Sequence, residues 1–177
     1  SSGDPGVFAM ATAVMEALEQ SEDPAWHWVD LAILPGISAA QAAAARIGAP
    51  LGHDFCVISL SDNLKPWSQI ERRLEHAALA DFVIARYNPS SKARPWQLSQ
   101  ALDLLRRHRV PATPVVLGRD VGRPDERVLV TTLGEIQPDQ VDMRTLVIIG
   151  SSQTRQFPRQ DGGVWVYTPR WYPETTE

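Results

Sequence analysis

The chain has 177 residues, 44% of them hydrophobic, enough to bury one large core or a small domain plus part of another. A net charge of −4 and a sequence pI near 5.6 argue against a general nucleic-acid binder, which needs a concentrated positive field. The single cysteine, Cys56, lies in the apolar run Phe55-Cys56-Val57-Ile58, so this chain alone builds neither a disulfide framework nor a thiolate metal cluster, and no apolar stretch is long enough to span a bilayer.

The opening segment Ser1-Ser2-Gly3-Asp4-Pro5-Gly6 runs into an apolar stripe of Val7, Met10, Ala11, Val14 and Leu18, the spacing of one helix face. A loop of this composition can cradle a polar ligand. Gly3 and Gly6 allow close backbone approach, Asp4 offers a carboxylate, and the start of the helix presents unpaired N–H groups. No strand and no initiator Met precede the loop, so we expect the chain to lack an N-terminal part or to be a trimmed piece. After the polar breaker Glu19 to Pro24, the run Trp26 to Leu34 reads as a strand ending at Pro35-Gly36. A second helix follows. Ser38 and Gln41 form an S-x-x-Q capping-box pattern, Ala39 to Ile47 is nearly all alanine, and Gly48 with Pro50 stops it. So smooth a helix suits close packing against another helix; admitting a cofactor is the other use for it.

From Leu51 the pattern becomes strands alternating with amphipathic helices. We expect a strand over 53–60, a helix over 67–80 with Ile70, Leu74 and Ala77 inward, and a strand over 82–87. A helix over 96–108 follows, with Leu98, Ala101, Leu102 and Leu105 on one side, then a strand over 113–117. Further strands over 127–132, 146–150 and 164–167, joined by short turns, predict hairpin-like pairing and a mixed sheet.

In such an architecture ligands collect where strands end. The residues in those places are Pro35-Gly36-Ile37-Ser38, Ser59-Leu60-Ser61-Asp62-Asn63, Tyr87-Asn88-Pro89-Ser90-Ser91-Lys92, Gly118-Arg119-Asp120, Thr131-Thr132 and Gly150-Ser151-Ser152-Gln153. Turn chemistry explains any one of them; their joint occurrence points to a site. Cations fall in the same places: Lys92 and Arg94, then Arg119, Arg123 and Arg127, then Arg155, Arg159 and Arg170. Arranged around one cleft they would suit a ligand bearing many carboxylates, whereas singly each reads as solvated charge among Asp120, Asp125 and Glu126. His27, His53, His76 and His108 have no metal-ligand spacing, so no metal site is expected. No G-x-S-x-G elbow, Walker A loop or G-x-G-x-x-G occurs, which sets aside hydrolase and NTPase readings and leaves a generic Rossmann dinucleotide-binding module as a rival without its fingerprint.

Taken in order, Ser2-Gly3-Asp4-Pro5, Leu34-Pro35-Gly36-Ile37-Ser38-Ala39, Ile58-Ser59-Leu60-Ser61-Asp62, Tyr87-Asn88-Pro89-Ser90-Ser91-Lys92, Met143-Arg144-Thr145-Leu146-Val147-Ile148-Ile149-Gly150 and Thr168-Pro169-Arg170 resemble the tetrapyrrole methylase family along the whole chain. The resemblance implies a two-domain α/β fold with the cofactor between the domains: residues 1–34 as the end of the first domain, 35–50 as a crossover, and 51–177 as a second domain with a mixed sheet flanked by helices. It implies S-adenosyl-L-methionine as cofactor, precorrin-3B as the small-molecule substrate, methylation at C17 with ring contraction to precorrin-4 in cobalamin biosynthesis, a homodimer, and a cytoplasmic location without nucleic-acid or membrane partners. Another corrin-ring methylase (C11 or C20), or a fragment that needs its missing part to act, are the alternatives.

The same resemblance places Gly3, Asp4 and Val7 at the amino-acid end of the cofactor, with Ser38 and Ala39 beside it, and Tyr87, Val116 and Thr145 around the adenosyl part. Lys92, Arg94 and Arg119 are the candidates to meet substrate carboxylates. Asp62 and Tyr87, polar groups at strand ends, are the candidate acid and base. The family's G-x-G-P-G loop is absent from the residues present, Trp171 stands where the family pattern has Gly, and Ser151-Ser152 stands where Asn is common.

Overall fold

In a computed structural model, which describes residues 3–89 and 95–172, the chain divides into two units, residues up to 39 and residues from 40 onward. In the first unit, helix α1 spans Met10–Glu19 rather than starting at Val7. Phe8, at φ 52°, sits in the left-handed region and blocks an earlier start, while the Val7 and Ala11 amides donate to the Asp4 and Pro5 carbonyls. None of the residues of α1 is buried.

The stretch predicted as a strand from Trp26 is instead a 3₁₀ turn over Pro24–Trp28, followed by backbone that enters no ladder among the described residues. The turn has a local cause. Pro24 fixes φ at its first position, and Asp23 Oδ1 accepts the Ala25 amide at 2.9 Å. An apolar extended run becomes a strand only when another backbone takes its hydrogen bonds, so composition alone overstated this element.

In chain order the remaining elements are α2 (Ala39–Ile47), β1 (Gly48–Ala49), β2 (Phe55–Ser59), α3 (Trp67–Leu79), β3 (Val83–Tyr87), α4 (Trp96–Arg106), β4 (Pro114–Arg119), β5 (Arg127–Thr132), β6 (Thr145–Ile149), β7 (Arg155–Pro158) and β8 (Val164–Tyr167). The larger sheet has the order β2-β3-β6-β4-β5, with β2 and β3 parallel and β6 inserted antiparallel to both β3 and β4. The mixed sheet is thus present, but the last three predicted strands do not pair with one another. β5 folds back on β4, β6 goes to the middle of the sheet, and β8 joins a second sheet of order β1-β8-β7.

Strand alternation divides the core into two layers. On one face Ile58, Ile84, Val115, Leu117, Val147 and Ile149 pack against Ile70, Leu74 and Ala77 of α3 and Leu98, Ala101, Leu102 and Leu105 of α4, the inward positions that the helical period assigns. On the other face Val83, Ala85, Val116, Leu146 and Ile148 lie beneath Ala40, Ala43, Ala44 and Ile47 of α2. Each fully buried Leu or Ile contributes roughly 1.5–3 kcal/mol, so these two faces supply most of the driving force. Arg86 is buried among them at 0% exposure, and burial pushes its guanidinium down to about 9.

The small sheet is tied to the residues that follow α2. β1 and β8 are parallel, the Thr168 amide donates to the Ala49 carbonyl, and Thr168 Oγ1 donates to the Pro50 carbonyl at 2.7 Å while contacting Thr154 Oγ1 at 2.9 Å. At the far end of β3, Asp81 gathers the Ser152 amide and hydroxyl, the Tyr172 hydroxyl and the Arg109 guanidinium.

Close packing of α2 on the sheet requires Gly118. A Cβ there would lie 2.8 Å from Ala43 Cβ and 3.0 Å from Val121 Cγ2, and Ala43 is fixed on the helix backbone. Gly118→Ala is therefore expected to lower unfolding free energy by about 1–3 kcal/mol in urea denaturation, with unchanged denaturant dependence.

Candidate functional site

In the first unit two of the motif segments are bound together. Asp4 Oδ1 accepts the Gly6 amide at 2.8 Å, and Asp4 Oδ2 accepts the Gly36 amide at 3.0 Å. The approach is close enough that a Cβ on Gly36 would lie 2.4 Å from the Gly3 carbonyl oxygen, while Gly3 itself has φ +76°. The Gly36 and Gly6 amides hold the Asp4 carboxyl below its ordinary range. Val7, half-buried, follows one turn later. Beside this junction an apolar groove of about 380 Å³ runs between Gly3 and Pro5, the α1 side chains Met10, Ala11 and Val14, and the stretch 31–34. Ser38 and Ala39 lead into α2.

In the second unit β3 and β4 point the same way and β6 the opposite way, so the last residues of β2, β3 and β4 share one end of the sheet with the first residue of β6. Tyr87, Arg119 and Thr145 are brought together at that end, where strand polarity collects ligands in α/β folds. The Tyr87 hydroxyl accepts the Ala40 amide at 3.0 Å, so a side chain from β3 caps the first turn of α2. Val116, 1% exposed, lies deeper on the same face, paired with Ile148 and Val130.

Thr145 and Arg119 belong to a web of charges. Thr145 Oγ1 donates to Asp142 Oδ1 at 2.8 Å, and Arg119, its partner across the ladder, donates from Nε to Asp142 Oδ2 at 3.0 Å. Burial would raise the Asp142 carboxyl, but Thr145, Arg119 and the Arg144 amide together hold it below the usual range. Asp120, buried and at φ 50°, accepts from Arg144 Nε at 2.7 Å, and Arg119 Nη1 stands 3.3 Å from its other oxygen without hydrogen-bond alignment. Arg119 is thus already committed to carboxylates, chiefly Asp142, which raises it further. At the adjacent strand ends Asn88, at φ 51°, donates from Nδ2 to Ser59 Oγ at 2.9 Å, and the Ser61 amide donates to the same hydroxyl.

Asp62 is half-buried in the loop after β2, near Lys65. Lys92 and Arg94 lie outside the described residues. Asp142 and Arg144 were missed by sequence reasoning. The signal available was Asp142-x-Arg144, in which the carboxylate accepts the amide two residues on, an Asx turn just before a strand. Among the described residues no cluster of His, Cys, Asp and Glu is placed to hold a metal ion, and no helix is long and apolar enough to cross a membrane.

Two outcomes follow from these contacts. Tyr87→Phe leaves the buried Ala40 amide without its acceptor and is expected to lower stability by about 1–3 kcal/mol, measured by chemical denaturation. The Asp4 contacts are fully present above its unfolded value of 3.8 and are lost as pH falls through the lowered folded value. The Gly36 amide resonance should therefore titrate with a midpoint below 3.8, and this step should be missing in Asp4→Asn.

Comparison with known proteins places these motifs. The profile of the family Tetrapyrrole (Corrin/Porphyrin) Methylases matches residues 1–137. A Precorrin-3B C(17)-methyltransferase from Sinorhizobium sp is 60% identical over 173 residues, covering 97% of this chain and 67% of that protein. The Cobalamin biosynthesis protein CobIJ of Mycobacterium tuberculosis (strain ATCC 25618 / H37Rv) is 53% identical over 178 residues, or 98% of this chain but 34% of its own length. The chain therefore spans about two thirds of the first relative and about one third of the second. The crystal structure of the methyltransferase CobJ superposes with a TM-score of 0.87 at 50% identity, covering 96% of this chain and 68% of that one.

Proposed function

The chain belongs to the tetrapyrrole (corrin/porphyrin) methylases, and from that premise we propose that it acts in cobalamin biosynthesis as an S-adenosyl-L-methionine-dependent methyltransferase, transferring methyl to C17 of precorrin-3B with ring contraction to precorrin-4. The observation that carries the reading is the 60% identity to the Sinorhizobium C(17)-methyltransferase along 97% of the chain. The proposal extends to a cytoplasmic homodimer.

The residues fit the cofactor on chemical grounds. The Asp4 carboxyl, kept ionised by two backbone N–H donors, suits a ligand carrying ammonium and sulfonium charge, and the Cβ-free backbone at Gly3 beside the apolar groove suits its close approach. In this reading Gly3, Asp4 and Val7 hold the amino-acid end, with Ser38 and Ala39 beside it. Tyr87, Val116 and Thr145 border the adenosyl part. When bound, the cofactor supplies a methyl group already activated by its sulfonium, which leaves the protein to orient the ring carbon and exclude water.

Lys92, Arg94 and Arg119 meet the carboxylates of the macrocycle, Arg119 while sharing its charge with Asp142. Contraction also needs protons moved. The Tyr87 hydroxyl, oriented by accepting the Ala40 amide, and the Asp62 carboxyl are assigned to that work.

The test is incubation with precorrin-3B and S-adenosylmethionine carrying a ¹³C-labelled methyl, followed by NMR of the product. Label on C17 is the expected result; label on C11 or C20 would assign the chain to another corrin methylase. Asp62→Asn and Tyr87→Phe are each expected to lower turnover by about 100-fold or more. Normal turnover in both would remove them from the acid/base role.

A further inference from the structure

Arg86 is the next-to-last residue of β3, and its side chain faces the layer formed by α3 and α4. The register fixes this: Arg86 pairs with Ile58 on β2 and with Val147 on β6, and both of those face α3 and α4. It is 0% exposed, and Nε, Nη1 and Nη2 all lack a hydrogen-bond partner among the described residues. Burial pushes its pKa down, and among the described residues no carboxylate offsets that. A guanidinium in that position is costly unless an anion neutralises it.

α3, which follows β2, and α4, which follows β3, both begin at the sheet end where Arg86 lies. Their N-caps are Pro66 and Pro95, neither of which supplies a capping side chain, and neither first turn carries an acidic residue. The two helix starts adjoin, with the Trp67 and Trp96 rings edge to face at 4.9 Å. The Trp67 indole N–H and the Gln97 amide nitrogen, both in those first turns, are also buried without a partner among the described residues. Arg86, Trp67, Gln97 and the two helix N-termini thus belong to one end of the sheet on its α3–α4 side, and the guanidinium, the indole N–H and the Gln97 amide nitrogen each lack an acceptor there.

We propose that this end of the α3–α4 layer is an anion site, in which Arg86, Trp67 Nε1 and Gln97 Nε2 hold a small inorganic anion of halide size beside the two helix N-termini. The anion neutralises the buried guanidinium and accepts the orphaned N–H groups, so it stabilises the layer of α3 and α4 on the sheet. Its place is on the face of β3 opposite Tyr87, Ala85 and Val83, and it takes no part in methyl transfer.

The experiment compares thermal unfolding of the full chain in sodium bromide and in sodium gluconate at equal ionic strength, for wild type and Arg86→Met. Wild type should gain about 3–6 °C with a saturating bromide dependence, whereas Arg86→Met should unfold at the same temperature in both salts. An equal response in both proteins, or none in wild type, overturns the site. Anomalous scattering from a bromide-soaked crystal of the wild type decides the matter even if the variant does not fold: a peak within hydrogen-bond reach of Arg86, Trp67 Nε1 and Gln97 Nε2 is expected, and its absence is contrary to the proposal.

Discussion

Strand β3 has to satisfy two unlike faces at once, and the rest of the second unit is arranged around that requirement. It lies between a parallel neighbour, β2, and an antiparallel one, β6, and it sends Val83, Ala85 and Tyr87 under α2 while Ile84 and Arg86 go under α3 and α4. A shift of one residue in register would exchange the two sets. The alanine-rich face of α2 can sit on the first set because Ala85 is small and Gly118 on β4 has no side chain. Its N-terminal amide is then met by the Tyr87 hydroxyl, so the residue that ends β3 also fixes where α2 begins.

The same end of the sheet is electrostatically dense but largely neutralised. Asp120, Asp142, Arg119 and Arg144 interlock across the starts and ends of β4 and β6, with Thr145 completing the set. Two residues at this end occupy the left-handed region, Asp120 within this network and Asn88 beside it, bonded to Ser59. In the proposed enzyme the cost of those conformations is offset by hydrogen bonds within the loops, so the polar groups are positioned before a ligand arrives.

How much of this was legible in the sequence depends on the range of the interaction concerned. α3 and α4 were readable because Ile70, Leu74 and Ala77, and Leu98, Ala101, Leu102 and Leu105, repeat at the helical period and are buried. The order β2-β3-β6-β4-β5 was not, since nothing local to 145–149 says that it enters the middle of the sheet. β7 was missed for a related reason. Arg155–Pro158 is exposed at every residue and carries no alternation, and it is a strand only because β8 pairs with it. The reverse error occurred at Trp26 to Leu34, where apolar composition suggested a strand that no ladder supports among the described residues.

The Gly3-Asp4 and Pro35-Gly36 motifs were both recognisable, yet the carboxylate that joins them acts across 32 residues and could not be seen from either. Arg86 was passed over because it sits in a run whose hydrophobic pattern already accounted for it.

The pairing of β1 with β8 has a consequence for biosynthesis. Gly48 and Ala49 find their hydrogen-bonding partners at Val166 and Tyr167, and the Pro50 carbonyl finds its own at Thr168, 118 positions later. During translation the exit of α2 therefore waits, unanchored, until residues 166–168 have left the ribosome. The parallel β2-α3-β3 segment can meanwhile assemble from nearby residues, so the nascent polypeptide gains this helical layer before its clasp.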